Sequence, residues 1–210
     1  MNPEEMIQLK NIDKVYTVGG REITVFHHLN LSIDPKKITV LTGKSGSGKT
    51  TMLRILAGLE QPTGGEIEIP EGLRIGMVFQ EPRLMPWLNC EKNVTLGMKK
   101  PSKEEREDIL RLVGLEGFER AYPSQLSGGM KQRAALARTL IRKPNLILMD
   151  EPFSALDDLT KSTMHKELLR IHTETAAGIV FVTHDMAEAF RIGDSVYSLQ
   201  NNTIEVICHE

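Results

Sequence analysis

"ITVLTGKSGSGKT", Ile38 to Thr50, is a short apolar run that stops at a glycine loop. The loop matches G-x-x-x-x-G-K-[ST]. A strand is expected before it, and a helix after it, where Met52, Leu53, Ile55, Leu56 and Leu59 follow helical spacing. Glycines let the backbone curl so that its N–H groups point inward at phosphate oxygens. The helix start adds about half a positive charge. Gly43, Lys44, Ser45, Gly46, Ser47, Gly48, Lys49, Thr50 and Thr51 are therefore the candidate phosphate-binding residues. Lys49 is expected to reach the β- and γ-phosphates and Thr50 to ligate Mg²⁺.

Such a loop needs a carboxylate partner for its metal, and an apolar strand ending in Asp is the usual source. "LILMDE", Leu146 to Glu151, supplies one, with Asp150 as candidate Mg²⁺ ligand. Glu151 comes next and so points differently. Facing a γ-phosphate, it could polarise a water for in-line attack.

Outward from this unit, the first third of the chain reads as β structure. "MIQLKNI" alternates, as do Leu29, Leu31 and Ile33, with Gly19-Gly20 as a turn between them. "GEIEI" and "LRIGMVF" are further strands. Pro82, Pro86, Pro101 and Pro123 then break up the sequence, and within that stretch Ser102, Glu105 and Gly114 mark a helix with a capping box and a stop. A helix from Gly128 to Arg142 shows Met130, Ala134, Ala137 and Ile141 on one face. "LILMD", a helix near 158–172, "GIVFVTHD", a short helix through Glu188 and Phe190, and a final hairpin turning at Asn201-Asn202 follow. Strands alternating with helices argue for an α/β core with a parallel sheet.

"LSGGMKQR", Leu126 to Arg133, is a second glycine loop at a helix start. Ser127 can donate its hydroxyl to a phosphate oxygen, and Gly128 and Gly129 leave the backbone N–H groups bare. Read alone, it is equally an ordinary N-cap.

Taken together, these motifs resemble the ATPase subunit of ATP-binding cassette (ABC) transporters. "GKSGSGKT" is similar to the Walker A loop, "LILMDEP" to the Walker B strand and "LSGGMKQR" to the signature, all in the family's order and over nearly the whole chain. "VFQEP" places Gln80 as the Q-loop glutamine, "SALD" (Ser154 to Asp157) looks like the D-loop, and "VTHD" puts His184 at the switch histidine. The resemblance implies a P-loop NTPase core with an N-terminal antiparallel β subdomain, over residues 1–80 and 136–210, and an inserted helical subdomain over 81–135.

It also implies a head-to-tail homodimer in which the signature of one chain caps the ATP held by the other. Gln80 would touch the metal or attacking water, Asp157 would cross the interface, and His184 would contact the γ-phosphate and orient Glu151. Tyr16 matches the aromatic that stacks on adenine, and a half-buried strand tyrosine is an equal reading. Cofactors implied are ATP and Mg²⁺.

"EPRLMPWLNCEKNV", Glu81 to Val94, lies where the family meets its membrane permease, and "RLMPW" is similar to nitrate, sulfonate and taurine importers. A separate solute-binding protein is implied too. Trp87 stands between two readings, a local packing anchor or part of the permease socket. Asn89-Cys90 and Ser195 depart from the residues common in these relatives, outside the nucleotide set. No C-terminal regulatory domain like that of some sugar-importer cassettes is present, so regulation through one is not expected. A soluble ABC machine for DNA repair or translation is the alternative, but the coiled-coil insertions or basic arms it would carry are missing.

Composition agrees. The 210 residues are 40% hydrophobic and 26% charged, enough for one or two compact units with a core. Net charge is −2 with no basic stripe, so no nucleic-acid partner is expected. Two cysteines without CxxC spacing fit a reducing compartment. No secretory signal and no apolar run of about 20 residues is seen, so the expected location is cytoplasmic, peripheral on the inner membrane face through the permease. His27-His28 and the terminal "CHE" lack a full metal-ligand set, His165 and His172 read as solvated, and "KEERED" as an exposed helix face.

Overall fold

The computed structural model describes residues 5–154 and 156–209. Ala155, inside the "SALD" stretch, lies outside the described residues, as does Glu210 of the terminal "CHE".

A six-stranded sheet forms the centre. β3 (Ile38–Thr42), β6 (Leu146–Asp150) and β7 (Gly178–Val182) run parallel to β5 (Ile75–Val78) on one side and β8 (Ser195–Gln200) on the other. β9 (Thr203–His209) closes the edge antiparallel, giving the order β5-β6-β7-β3-β8-β9. Alternating residues split between the two faces. In β6, Leu146 and Leu148 join one core, while Ile147 and Met149 join the other. In β7, Val180 and Val182 part from Ile179 and Phe181 in the same way. Burial on both faces explains why these strands read as unbroken apolar runs. Phe181 is fully buried, and its truncation to Ala would cost about 3–5 kcal/mol.

One face is covered by a three-stranded antiparallel sheet, order β2-β1-β4, made of β1 (Ile7–Val18), β2 (Arg21–Ile33) and β4 (Gly64–Glu68), together with α1 (Lys49–Leu56). Gly19 and Gly20, at φ 58° and 78°, turn β1 into β2. Asn201 and Asn202, at 48° and 63°, turn β8 into β9. Two left-handed residues in a two-residue loop match the right-handed twist of the strands.

The opposite face carries α2 (Cys90–Val94), α3 (Lys103–Leu112), α4 (Gly128–Leu140), α5 (Asp158–Thr175) and α6 (Met186–Ile192). Ser102 and Glu105 form the expected capping box on α3. α2 is an addition to the sequence reading: Asn89 caps it, accepting the Lys92 N–H at 3.0 Å. The break at 135/136 falls within α4.

The histidines of α5 are a correction. His165 is buried, 5% exposed, against Phe153, with Nε2 2.5 Å from Glu188 of α6. Glu188 in turn accepts the Thr183 hydroxyl. His172 is half-buried and donates from Nδ1 to the Ala177 carbonyl at 2.8 Å. Glu188 of α6 meets His165 and the Ala177 carbonyl meets His172, so positions that look free along the helix are covered.

Candidate active site

Because β5, β6, β7 and β3 are parallel, the residues after them share one sheet edge: Gln80, Asp150-Glu151, Thr183-His184 and the glycine loop. Ligands of open α/β sheets bind at this carboxyl edge. Here a hollow of about 330 Å³ is lined by Ser45, Gly46, Lys49, Thr50, Gln80 and Glu151, with Val25, Gly48, Thr51 and Asp150 completing it.

The loop is held by contact as well as by conformation. Gly48 caps α1 at φ 98°, and a Cβ there would lie 2.6 Å from Val25 and 2.7 Å from Phe26. β2 is thus pressed against the loop, and only glycine fits between. Lys49 is 6% exposed, and its Nζ donates to the Gly43 and Lys44 carbonyls at 2.9 and 3.1 Å. Its ammonium lies 3.7 Å from Glu151. Ser47 Oγ is buried with no hydrogen-bond partner among the described residues, a spare hydroxyl of the loop.

Thr50 Oγ1 donates to Asp150 Oδ1 at 3.1 Å, so helix α1 and strand β6 bring two of the three candidate metal residues together. Burial pushes the Asp150 carboxyl above its ordinary pKa; Thr50 pulls the other way, less strongly. A buried, all-oxygen donor set of this kind suits a hard cation such as Mg²⁺. Glu151 has φ 43°, a left-handed conformation that costs a non-glycine residue about 1–3 kcal/mol and persists where the surroundings fix it. Its N–H donates to the Val182 carbonyl at 3.1 Å, and its carboxylate lies 3.2 Å from His184 Nδ1. The acid is thereby turned away from Asp150 and towards the histidine.

Gln80 donates from Nε2 to Ser154 Oγ at 3.3 Å, and its carbonyl accepts Nε2 of Gln132 at 2.7 Å. Gln132 belongs to α4, so the strand-end glutamine is tied to the helix that begins at the second glycine loop. Neither Gln132 nor Ser154 stands out in the sequence as a site residue; the "KQR" on the first turns of a glycine-started helix is the signal that points to the former. Tyr16 is half-buried, its hydroxyl bonded to Glu60 and 3.4 Å from Thr51, and its ring 4.8 Å from Lys14. The residue is therefore beside the loop and also a working part of the β sheet.

The second loop stands apart. Ser127 Oγ accepts the Met130 N–H at 3.3 Å as the cap of α4, and a Cβ on Gly129 would lie 3.0 Å from Thr160. Ser127, Gly128 and Gly129 border other hollows than the one holding Lys49. Asp157 caps α5 through Thr160 at 3.0 Å and also does not line it. One chain thus brings the first loop, Gln80, Asp150, Glu151 and His184 together, and leaves Ser127, Gly128, Gly129 and Asp157 outside.

A family model described as ABC transporter matches residues 26–154. The chain belongs to the ABC transporter family. An uncharacterized ABC transporter ATP-binding protein, MJ0412 of Methanocaldococcus jannaschii, is 42% identical over 92% of this chain and 77% of its own length. The aliphatic sulfonates import ATP-binding protein SsuB 1 of Shouchella clausii is 44% identical over 97% of this chain and 81% of its own. A dimeric post-hydrolysis structure of the cassette MJ0796 with ADP and Pi superposes with TM-score 0.84 at 34% identity, covering 97% of this chain and all of that one.

The cassette has a second, larger hollow of about 750 Å³ beside the helical face, lined by Phe79, Arg83, Met85, Leu96, Arg138 and Arg142 among others. Asn93, fully buried, fixes the adjoining loop: Oδ1 accepts the Met85 N–H at 2.7 Å and Nδ2 donates to the Met85, Leu88 and Asn89 carbonyls. Arg138 holds the Pro82 and Arg83 carbonyls at 2.7 and 2.8 Å. On this clamped segment Trp87 is 70% exposed. Asn93 ties this segment down, and the tryptophan side chain lies on its surface. Among the described residues no helix is long and apolar enough to cross a membrane.

Proposed function

We propose that the cassette binds and hydrolyses ATP to drive a membrane importer, and that two copies enclose two nucleotides head to tail. The observation that carries this reading is the convergence of Lys49, Thr50, Asp150 and Glu151 on one hollow, with His184 against Glu151 and the second glycine loop absent from the lining.

The residues divide the work as follows. The glycine loop and Lys49 hold the phosphates, Lys49 exchanging its carbonyl partners for phosphate oxygens. Thr50, Asp150 and Gln80 are the residues that would hold Mg²⁺, which when bound offsets charge on the β- and γ-oxygens. Glu151 accepts the proton of the attacking water, and His184 keeps its carboxylate aimed. Ser127, Gly128 and Gly129 present an anion-ready helix start to the γ-phosphate of the facing copy. Asp157 lies at that interface, and Tyr16 offers its ring to the base.

The link from Gln80 through Gln132 to α4 gives a route by which nucleotide state moves the helical part, residues 81–135, against the core. The hollow by Phe79 and Met85, with Trp87 nearby, is where a permease would dock, placing the chain on the inner face of the membrane. The relatives named for aliphatic sulfonate import favour a solute of that class, brought by a separate binding protein. To test the reading, the chain is reconstituted with its permease in vesicles. ATP turnover that rises only when solute and binding protein are supplied supports it; turnover indifferent to the permease contradicts it.

A further inference from the structure

β1 and β2 are both irregular where Asp13 faces His27 and His28. The register slips on either side of Asp13, between Ile12 and Lys14, and His28 has φ 47°. Successive residues of a regular strand face opposite sides. Here the left-handed turn at His28 brings both imidazoles together, with centroids 4.2 Å apart. His27 Nδ1 lies 3.3 Å from one Asp13 oxygen and His28 Nδ1 lies 3.4 Å from the other. The three donor groups all lie within 4.8 Å of one another. The sequence shows a histidine pair without a full ligand set; the fold supplies the missing carboxylate from the neighbouring strand.

The backbone under this trio is tied on every side. Asp13 Oδ1 accepts the His28 N–H at 2.9 Å, and the Asp13 carbonyl accepts the Thr63 N–H at 2.8 Å. The His28 carbonyl accepts Asn30 Nδ2 at 2.9 Å, and the His27 N–H donates to Asn202 of the β8–β9 turn at 3.0 Å.

We propose that Asp13, His27 and His28 form a binding site for a divalent transition-metal ion of the zinc class, on the outer surface of the antiparallel sheet. Zinc holds imidazole nitrogen and carboxylate oxygen at about 2.0–2.1 Å in tetrahedral geometry, which sets neighbouring ligand atoms ~3.3–3.4 Å apart. Each histidine stands at that length from one of the two Asp13 oxygens, and a small turn of the carboxylate would set a single oxygen between both imidazoles. Three protein ligands leave a fourth position to water or another ligand. Two imidazoles disfavour Mg²⁺ and Ca²⁺, which seek oxygen, so the site is distinct in kind from the one at Asp150. The site follows directly on Val25 and Phe26, the residues pressed against Gly48. Occupancy would therefore pin the strand pair that flanks the nucleotide hollow.

The test uses the full chain without nucleotide, titrated with Zn²⁺ by calorimetry and with Co²⁺ by visible absorption. The wild type should take up one ion with micromolar or tighter affinity, unaffected by millimolar Mg²⁺, and Co²⁺ should give the absorption of a tetrahedral centre. His27→Ala, and His28→Asn, which keeps a residue tolerant of the left-handed backbone, should each weaken uptake by about 10-fold or more. The double variant should lose it, with unchanged circular dichroism. Asp150→Asn should retain it. In the wild type, zinc should shift the imidazole resonances of His27 and His28 and not those of His184, a readout that needs no variant to fold. Uptake no tighter than millimolar, equal uptake by the folded double variant, or shifts confined to His184 would overturn the proposal and leave the trio as a surface ion pair only.

Discussion

The two glycine loops of this chain are built alike and furnished differently. Each opens a helix with bare backbone N–H groups. The first is surrounded by chemistry: a buried lysine, a hydroxyl touching a carboxylate 7% exposed, and a glutamate braced by a histidine. The second lies away from this set: Ser127 Oγ accepts the Met130 N–H as a helix cap, and Gly129 packs against Thr160. The contrast teaches that a single chain carries one equipped pocket and one lid set away from it. A lid of this kind gains a purpose when it closes over someone else's phosphate.

Removing the equipment should hurt in proportion to its closeness to the reaction. Glu151→Gln should slow steady-state ATP hydrolysis by roughly 10²–10⁴-fold, with ATP binding retained, as for loss of a general base. Equal turnover in a phosphate-release assay would move the base elsewhere. Lys49→Ala removes a charge-assisted contact, of the kind worth about 1.5–3 kcal/mol, so ATP affinity should fall by about 10–150-fold. An unaltered nucleotide titration would contradict the equipped-pocket side of the comparison.

Gln132→Leu sharpens the comparison from between the loops. It cuts the side-chain hydrogen bond from α4 to the Gln80 carbonyl while leaving both loops intact. A net hydrogen bond is worth about 0.5–1.5 kcal/mol, so turnover should change by about 2–12-fold with ATP affinity unchanged. A drop in affinity with constant turnover would mean that the bond serves the pocket and not the coupling.

The smallest expected effect concerns stability. A raised pKa means that the folded chain binds a proton at Asp150 more readily than the unfolded chain does. Its contribution to stability therefore falls as pH rises above the ordinary carboxylate range. Asp150→Asn relieves this, so the nucleotide-free protein at pH 7 should melt higher, by about 2–4 °C per kcal/mol relieved. Calorimetric melting that is unchanged or lower would show that burial of this carboxylate carries no cost.

Much of this contrast was legible in the residues. The parallel sheet follows from runs such as Leu146–Asp150 and Gly178–Val182, and the capping box and both two-residue turns were visible as local chemistry. What escaped depends on elements distant in sequence. His165 looks solvated until α6 lays Glu188 over it, although Met164, Leu168 and Ile171 around it already mark the buried stripe of α5. That Asn93, and not Trp87, ties down its segment depends on bonds to backbone that no side-chain pattern displays. The helix Cys90–Val94 is too short for periodicity to reveal. Asp13 joins His27 and His28 through a slip in register that no spacing encodes.

A lid set away from its own chain's equipped pocket leads to one measurement above the others. Light scattering on the Glu151→Gln chain with ATP and Mg²⁺ should report twice the monomer mass, with one nucleotide retained per chain. Adding Ser127→Arg should return it to monomer while each chain still binds ATP. A monomer in the first case, or an undisturbed dimer in the second, would contradict the sharing of each nucleotide between two copies.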